Sequence, residues 1–249
     1  MSRAEEHCPA LETHVAPLPD ALVPATVTAE TVEEIGLEMA PRYYDLTALL
    51  SEKTVVFPGD PSYNAQPVCC LESGSAFNLC LLQLGNHTGT HIDYPAHVLK
   101  QGKTSSDYAV DHLIGPGIII KVPNTETSIT KSFVSQQAIL FNDIVFFKTA
   151  NSNISKQMDF TEQYVYIELE AAEELLSKRV KIVGIDYLSV DRYDASELPV
   201  HVALLSRDVL VVEGLELRHA PEGRATFCIL PLNIPLMDGL PARVVCRMG

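Results

Sequence analysis

Apolar residues in this chain fall mostly in short runs separated by glycine, proline and polar turns, and that spacing predicts strands. Gly117–Val122 and Asn142–Lys148 carry apolar runs of strand length, as expected of strands buried on both faces. Further strands are predicted at Tyr43–Leu46, Phe77–Leu84, Tyr164–Ile167, Val180–Ile185, Val209–Val212, Phe227–Leu232 and Pro241–Cys246. Pro58-Gly59-Asp60-Pro61 marks a tight turn. Helical spacing is rare. Glu168–Arg179 puts Leu169, Ala172, Leu175 and Leu176 on one face and ends on Lys178 and Arg179, cations suited to a helix C-terminus. Ala29–Met39 has room for one short acidic helix before Pro41. The pattern predicts a strand-dominated α/β domain over residues 42–249, preceded by a flexible tail, 1–41, rich in Pro, Ala, Thr and Glu.

One segment departs from ordinary strand chemistry. Asn86–Val98 holds His87, His91, Asp93 and His97, three of the chain's eight histidines and a carboxylate. Imidazole and carboxylate are ligands that borderline divalent metals prefer. A helix is disfavoured, because Thr88-Gly89-Thr90 joins two β-branched residues to a glycine and Pro95 follows. In an extended chain the odd positions 87, 89, 91, 93, 95 and 97 share one face. A flat strand would hold His87 and His91 roughly 13 Å apart, too far to chelate one ion. A bend or bulge at Gly89 is therefore expected. A lone histidine is usually structural, but three with an aspartate on one face would cost several kcal/mol to bury unpaired, roughly 2–7 for each polar group.

Composition narrows the partners. With 47% hydrophobic residues in 249, the chain can bury a substantial core. A net charge of -14 argues against nucleic acid and against an anionic membrane surface, and is silent on a small-molecule substrate, because a metal can reverse the local field. No apolar run reaches the roughly 18 residues of a membrane span. Glu5, Glu6 and Glu12 sit where a signal peptide would be basic. The six cysteines, Cys8, Cys69, Cys70, Cys80, Cys228 and Cys246, include no CxxC pair and read as reduced, mostly buried thiols of a cytoplasmic protein.

His87-Thr-Gly-Thr-His91-Ile-Asp93-Tyr-Pro-Ala-His97 resembles the HxGTHxDxPxH signature of the cyclase family of metal-dependent hydrolases, which includes bacterial kynurenine formamidases and isatin hydrolases. Asp45-Leu46-Thr47, Pro58-Gly59-Asp60, Gly184-Ile185-Asp186 with Ser189 and Asp191, and Asp238-Gly239-Leu240-Pro241-Ala242-Arg243 are similar to further elements of that family. The resemblance covers residues 43–249 and implies a β-rich α/β fold of the swivelling β/β/α type. It implies one or two divalent ions, zinc first and manganese second. His87, His91 and Asp93 would hold one ion, and Asp93 would bridge to a second completed by His201 and Glu213. His97 would be the general acid/base and Phe57 a substrate contact. The implied activity is hydrolysis of a small aryl formamide or cyclic amide by metal-activated water, in a homodimer or homotetramer. The alternatives are a cyclase, dehydratase or lactone-acting enzyme, and a metal-dependent binding module without turnover. Two positions depart from the formamidase pattern. Phe57 stands where those enzymes carry tryptophan, of which this chain has none, and Tyr94 replaces a small residue. Read from the residues alone, His201 is equally a loop histidine, and Phe57 a core residue.

Overall fold

The computed structural model describes residues 41–154 and 159–248. The expected tail, apart from Pro41, and its helix over Ala29–Met39 lie outside the described residues. Asn64–Gln83 form one unit, and Arg42–Tyr63 with Leu84–Met248 form the other. The smaller unit is a hairpin of β2 (Asn64–Cys69) and β3 (Leu79–Gln83), paired antiparallel with a register shift between Pro67 and Cys69. Of these two strands only β3 was expected. Pro67 cannot donate to a ladder, and this weakened the sequence signal for β2.

The larger unit contains β1 (Arg42–Asp45), β4 (His91–Asp93), β5 (Ile114–Lys121), β6 (Ser128–Ile129), β7 (Ile144–Lys148), β8 (Tyr166–Ile167), β9 (Ile182–Ile185), β10 (Leu210–Glu213), β11 (Gly223–Pro231) and β12 (Gly239–Met248). It also contains helices α1 (Lys131–Ser135), α2 (Leu169–Ser177) and α3 (Pro199–Leu205). The main sheet runs β1-β12-β11-β5-β7-β9-β10-β4, and β4 pairs back onto β12. The sheet therefore closes into a barrel. β5, β7, β9 and β10 are mutually parallel, and α1, α2 and α3 lie in the crossovers that parallel pairing requires. Their apolar runs are buried: Ile144, Val145, Phe146 and Phe147 are all 0% exposed, as are Ile182, Val183 and Ile185. β6 and β8 form a separate two-stranded parallel pair.

Helix α2 buries Ala171, Ala172 and Leu175, while Leu169, expected on that face, is exposed. Leu169 opens the helix, one residue after the Glu168 cap, and lies before the packed turn. The thiols also differ from expectation. Among the described residues only Cys246 is buried, whereas Cys80 is exposed.

Candidate metal centre

β4 is three residues long and is held from both sides. His91 lies opposite Glu213 of β10 and Pro241 of β12, and Asp93 lies opposite Val211 and Gly239. In an antiparallel pair, directly opposed residues share a face. The register alone therefore puts His91, Asp93 and Glu213 together at the seam where the barrel closes. The extended reading of the whole segment is corrected here. Only His91–Asp93 is strand, and Pro95–His97 is a 3-10 turn capped by Tyr94. The bend expected at Gly89 is present. Gly89 has φ +72°, and a Cβ there would meet Leu50 Cδ2 at 2.4 Å. The turn brings the His87 and His91 ring centroids to 5.1 Å. Thr90 anchors it, with its hydroxyl donating to Gly214 O at 2.7 Å and accepting from Ala48 N at 2.8 Å.

His201 is not on a loop. It is the third residue of α3, buried at 2% exposure. The helix starts sharply, with Glu197 and Leu198 both at positive φ (70° and 47°) before Pro199. Pro199 suits the first helical position. Asp191 fastens this helix by accepting from Val200 N at 2.8 Å and His201 N at 3.1 Å. Its Oδ2 also lies 2.6 Å from His201 Nδ1. A carboxylate only accepts, so Nδ1 carries a hydrogen and Nε2 is the nitrogen available to a metal. His91 is oriented in the same way, with Nδ1 2.9 Å from Gly89 O.

The freed nitrogens converge on two buried carboxylates. His91 Nε2 is 3.3 Å from Asp93 Oδ1 and 3.5 Å from Glu213 Oε2. His201 Nε2 is 3.1 Å from Glu213 Oε1 and 3.5 Å from Asp93 Oδ2. His87 Nδ1 is 2.8 Å from Asp93 Oδ1. Asp93 Oδ2 and His201 Nε2 are buried and make no hydrogen bond among the described residues. A tetrahedral ion with ligand bonds of about 2.0–2.1 Å separates its ligand atoms by about 3.3 Å, and most of these spacings have that length. The donor set therefore fits a divalent metal, with His87, His91 and Asp93 as one triad and Asp93, His201 and Glu213 as another.

The electrostatics fit as well. Burial pulls the His91 imidazole down, but the Asp93 carboxylate, with Glu213 beside it, pushes it up to about 10. Burial likewise acts against the His201 imidazolium, and Glu213 and Asp191 overcome it and raise the group well above its ordinary value. Burial raises Asp93, yet the His91 and His201 side chains hold it well below the usual carboxylate range. A cation is strongly favoured in this pocket, whether proton or metal.

His97 stands at the rim, a quarter exposed, with Nδ1 3.4 Å from Asp238 Oδ2 and its ring stacked 4.2 Å from that of His87. Gly239 lies beneath His87, and a Cβ there would lie 2.2 Å from His87 Cε1. Phe57 makes its ring contacts with Phe160 (5.4 Å) and Tyr193 (5.9 Å). This group continues through Tyr187 to Tyr164, whose hydroxyl donates to Asp191 O. Tyr94, at an even position of the ligand segment, is buried with its ring 5.5 Å from that of Tyr108. Sequence reasoning assigned no role to Asp191, Asp238 or Asn86. The signal for the first two was their place in the quoted family elements.

A family model described as putative cyclase matches residues 44–192. Kynurenine formamidase of Salinibacter ruber is 34% identical over 204 residues, spanning 82% of this chain and 96% of its own. A solved structure described as a potential metal-dependent hydrolase with cyclase activity is 31% identical and superposes with a TM-score of 0.74, covering 84% of this chain and 98% of its own. An isatin hydrolase bound to thioisatinate has a TM-score of 0.75 at 20% identity, covering 84% and 92%. That last likeness is one of fold.

Proposed function

This chain belongs to the putative cyclase family, and from that membership we propose that it is a metal-dependent amidohydrolase acting on a small aryl formamide or cyclic amide. The observation that carries this reading is the buried convergence of His91, Asp93, His201 and Glu213 at ligand-to-ligand spacings, with Asp93 Oδ2 and His201 Nε2 making no hydrogen bond among the described residues. The 34% identity to a kynurenine formamidase over almost its full length supports the substrate class.

His87, His91 and Asp93 hold one divalent ion, and Asp93, His201 and Glu213 hold a second where two are bound. Zinc suits this imidazole and carboxylate set first, and manganese second. When bound, the ion polarises a carbonyl and acidifies water. His97 takes the proton of the attacking water at Nε2 and returns it to the leaving nitrogen, a role suited to an imidazole within reach of bulk solvent. Phe57, with Phe160 and Tyr193, offers an edge-and-face aromatic surface for an aryl ring. Phe57 in place of tryptophan favours a second reading, in which the same site acts on a lactone or as a cyclase or dehydratase.

Self-association belongs to the same reading. Val68, Leu71, Phe77, Leu79, Leu81 and Leu82 of the hairpin unit are 47–60% exposed. A two-stranded hairpin is marginal alone. Glu72 is the single charge between Asn64 and Gln83 in a chain of net charge -14. Copies so strongly like-charged associate best through such a neutral surface, so a second copy of this chain is the occupant, in a homodimer or tetramer. Leu81→Asp should reduce the mass seen by light scattering, and a wild-type monomer would refute the interface. The thiols of Cys69, Cys80, Cys228 and Cys246, outside any disulfide among the described residues, favour the cytoplasm.

The deciding experiment is hydrolysis of N-formylkynurenine by the purified protein, with EDTA and then with zinc or manganese restored. Turnover that EDTA abolishes and metal restores supports the amidohydrolase. Metal-loaded protein without turnover overturns the formamide assignment.

A further inference from the structure

Asp238 immediately precedes β12, and its carboxylate meets three side chains. Oδ1 accepts from Asn86 Nδ2 at 2.8 Å. Oδ2 lies 3.1 Å from His87 Nε2 and 3.4 Å from His97 Nδ1. One oxygen therefore serves both imidazoles, whose rings are stacked 4.2 Å apart and tilted by 38°. Because a carboxylate oxygen only accepts, both facing nitrogens carry hydrogen. The consequence is different for each ring. His87 keeps Nδ1 toward Asp93 Oδ1, 2.8 Å away, in the direction of the candidate metal triad; that nitrogen donates to Asp93 when no ion lies between them and is the one to give up its hydrogen to a metal, because Asp238 holds the other. His97 is left with Nε2 as its lone pair, the atom a general base needs. The Asn86 amide in turn fixes the carboxylate plane and also reaches Gly239 O at 3.3 Å.

We propose that Asp238 is a positioning residue that selects the working tautomers of His87 and His97 through a single oxygen, so that metal holding and proton transfer share one carboxylate. This rests on the reading of His87 as a ligand and His97 as the acid/base. Outer carboxylates that orient ligating histidines typically change metal affinity or activity by about 10–100-fold when removed. Asp238 is 42% exposed, so its effect is on orientation rather than on core stability.

The test uses the full chain, histidine-labelled with nitrogen-15 and loaded with zinc, in wild-type, Asp238→Asn, Asp238→Ala and Asn86→Ala forms. An asparagine amide at 238 turns its NH2 toward either Asn86 or the imidazoles, so one set of donors loses its acceptor. Long-range proton–nitrogen correlation should report the Nδ1–H tautomer for His97 in the wild type and its loss in Asp238→Ala, with Asp238→Asn retaining it only in the orientation that keeps the amide oxygen toward the imidazoles. Zinc affinity by chelator competition should fall about 10–100-fold in those variants. In the amide assay kcat should fall while KM stays within about twofold, as expected of a group acting through the base rather than on substrate. Asn86→Ala should shift all three readouts in the same direction by less. An unchanged His97 tautomer with zinc affinity within twofold of wild type overturns the proposal. Failure of the wild type to hydrolyse formamides would instead overturn the functional reading, and the tautomer and zinc readouts would still decide the role of Asp238.

Discussion

Asp191→Asn offers a sharp test of the metal centre, because it changes charge and acceptor count at a buried position while keeping the side chain's shape. Asp191 is 1% exposed and accepts from Val200 N, His201 N and His201 Nδ1. An asparagine has one acceptor oxygen. If that oxygen takes the Oδ2 position, Val200 N faces the amide NH2. If it takes the Oδ1 position, both His201 donors do. At least one buried donor is orphaned either way, at about 1–3 kcal/mol. In the second orientation His201 also loses the bond that keeps its proton on Nδ1, and Nε2 no longer reliably faces Asp93 and Glu213. Loss of such an orienting carboxylate weakens metal binding by about 10–100-fold, or about 1.4–2.7 kcal/mol. The assay is zinc titration against a chromophoric chelator, paired with urea unfolding of the metal-free protein. The expected result is a loss in both. Reduced metal-free stability with unchanged zinc affinity would mean that Asp191 only fastens α3, and His201 would cease to be a candidate ligand.

Two further outcomes follow from the same geometry. His97→Ala should lower kcat by about 10²–10⁴ with zinc content by elemental analysis unchanged; equal losses of metal and activity would instead make His97 a ligand. The His91 imidazole, raised to about 10 by Asp93 and Glu213, keeps its proton in the metal-free protein below that pH, and a metal must displace it. Apparent zinc affinity should therefore rise with pH between about 6.5 and about 10. Over the same window the metal-free protein should lose the stability this group contributes, which is fully present below the unfolded value and gone above the folded one. Titration of affinity and of Tm across that range checks both signs, and a flat affinity profile would refute the competition.

The parts of this architecture legible in the sequence were those whose chemistry is local. The buried parallel strands declare themselves because a strand covered on both faces is apolar throughout, as in Ile144–Phe147. The ligand segment declares itself because three histidines and an aspartate share eleven residues, and Gly89 supplies the bend. What escaped was set by tertiary contact. α3 contains the β-branched Val200 and Val202, poor helix formers, and is held by Asp191 from another segment. His201 therefore read equally as a loop residue until the carboxylate that positions it was in place. Asp238 precedes a glycine and reads as a turn, and its meeting with Asn86, His87 and His97 spans 141 to 152 residues of sequence separation. Ring partners of Phe57, at Phe160 and Tyr193, are equally remote. Even so, the pairing of Glu213 with His91 follows from strand register, and the strand expected at Val209–Val212 ends just before Glu213.

The position of the site has a mechanical consequence. The barrel closes through β4, whose three residues pair with β10 on one side and β12 on the other. Two of those three, His91 and Asp93, belong to the candidate metal set, and a third member, Glu213, lies on the neighbouring strand directly opposite His91. With metal bound, cation attraction and strand pairing pull the same edges together. With metal stripped, Asp93 Oδ2 is a buried acceptor without a hydrogen bond among the described residues, a defect worth about 1–3 kcal/mol or more for a charged group, concentrated on the shortest strand of the barrel. A short strand has few ladder bonds to resist that cost, so the opening should be local. Amide exchange after chelation should accelerate at Ile92, along Val211–Glu213 and at Gly239 and Leu240, while Ile118–Ile120 and Val145–Phe147 stay protected. Uniform acceleration across all strands would show that metal stabilises the fold as a whole, and exchange unchanged at β4 would separate the ion from barrel closure.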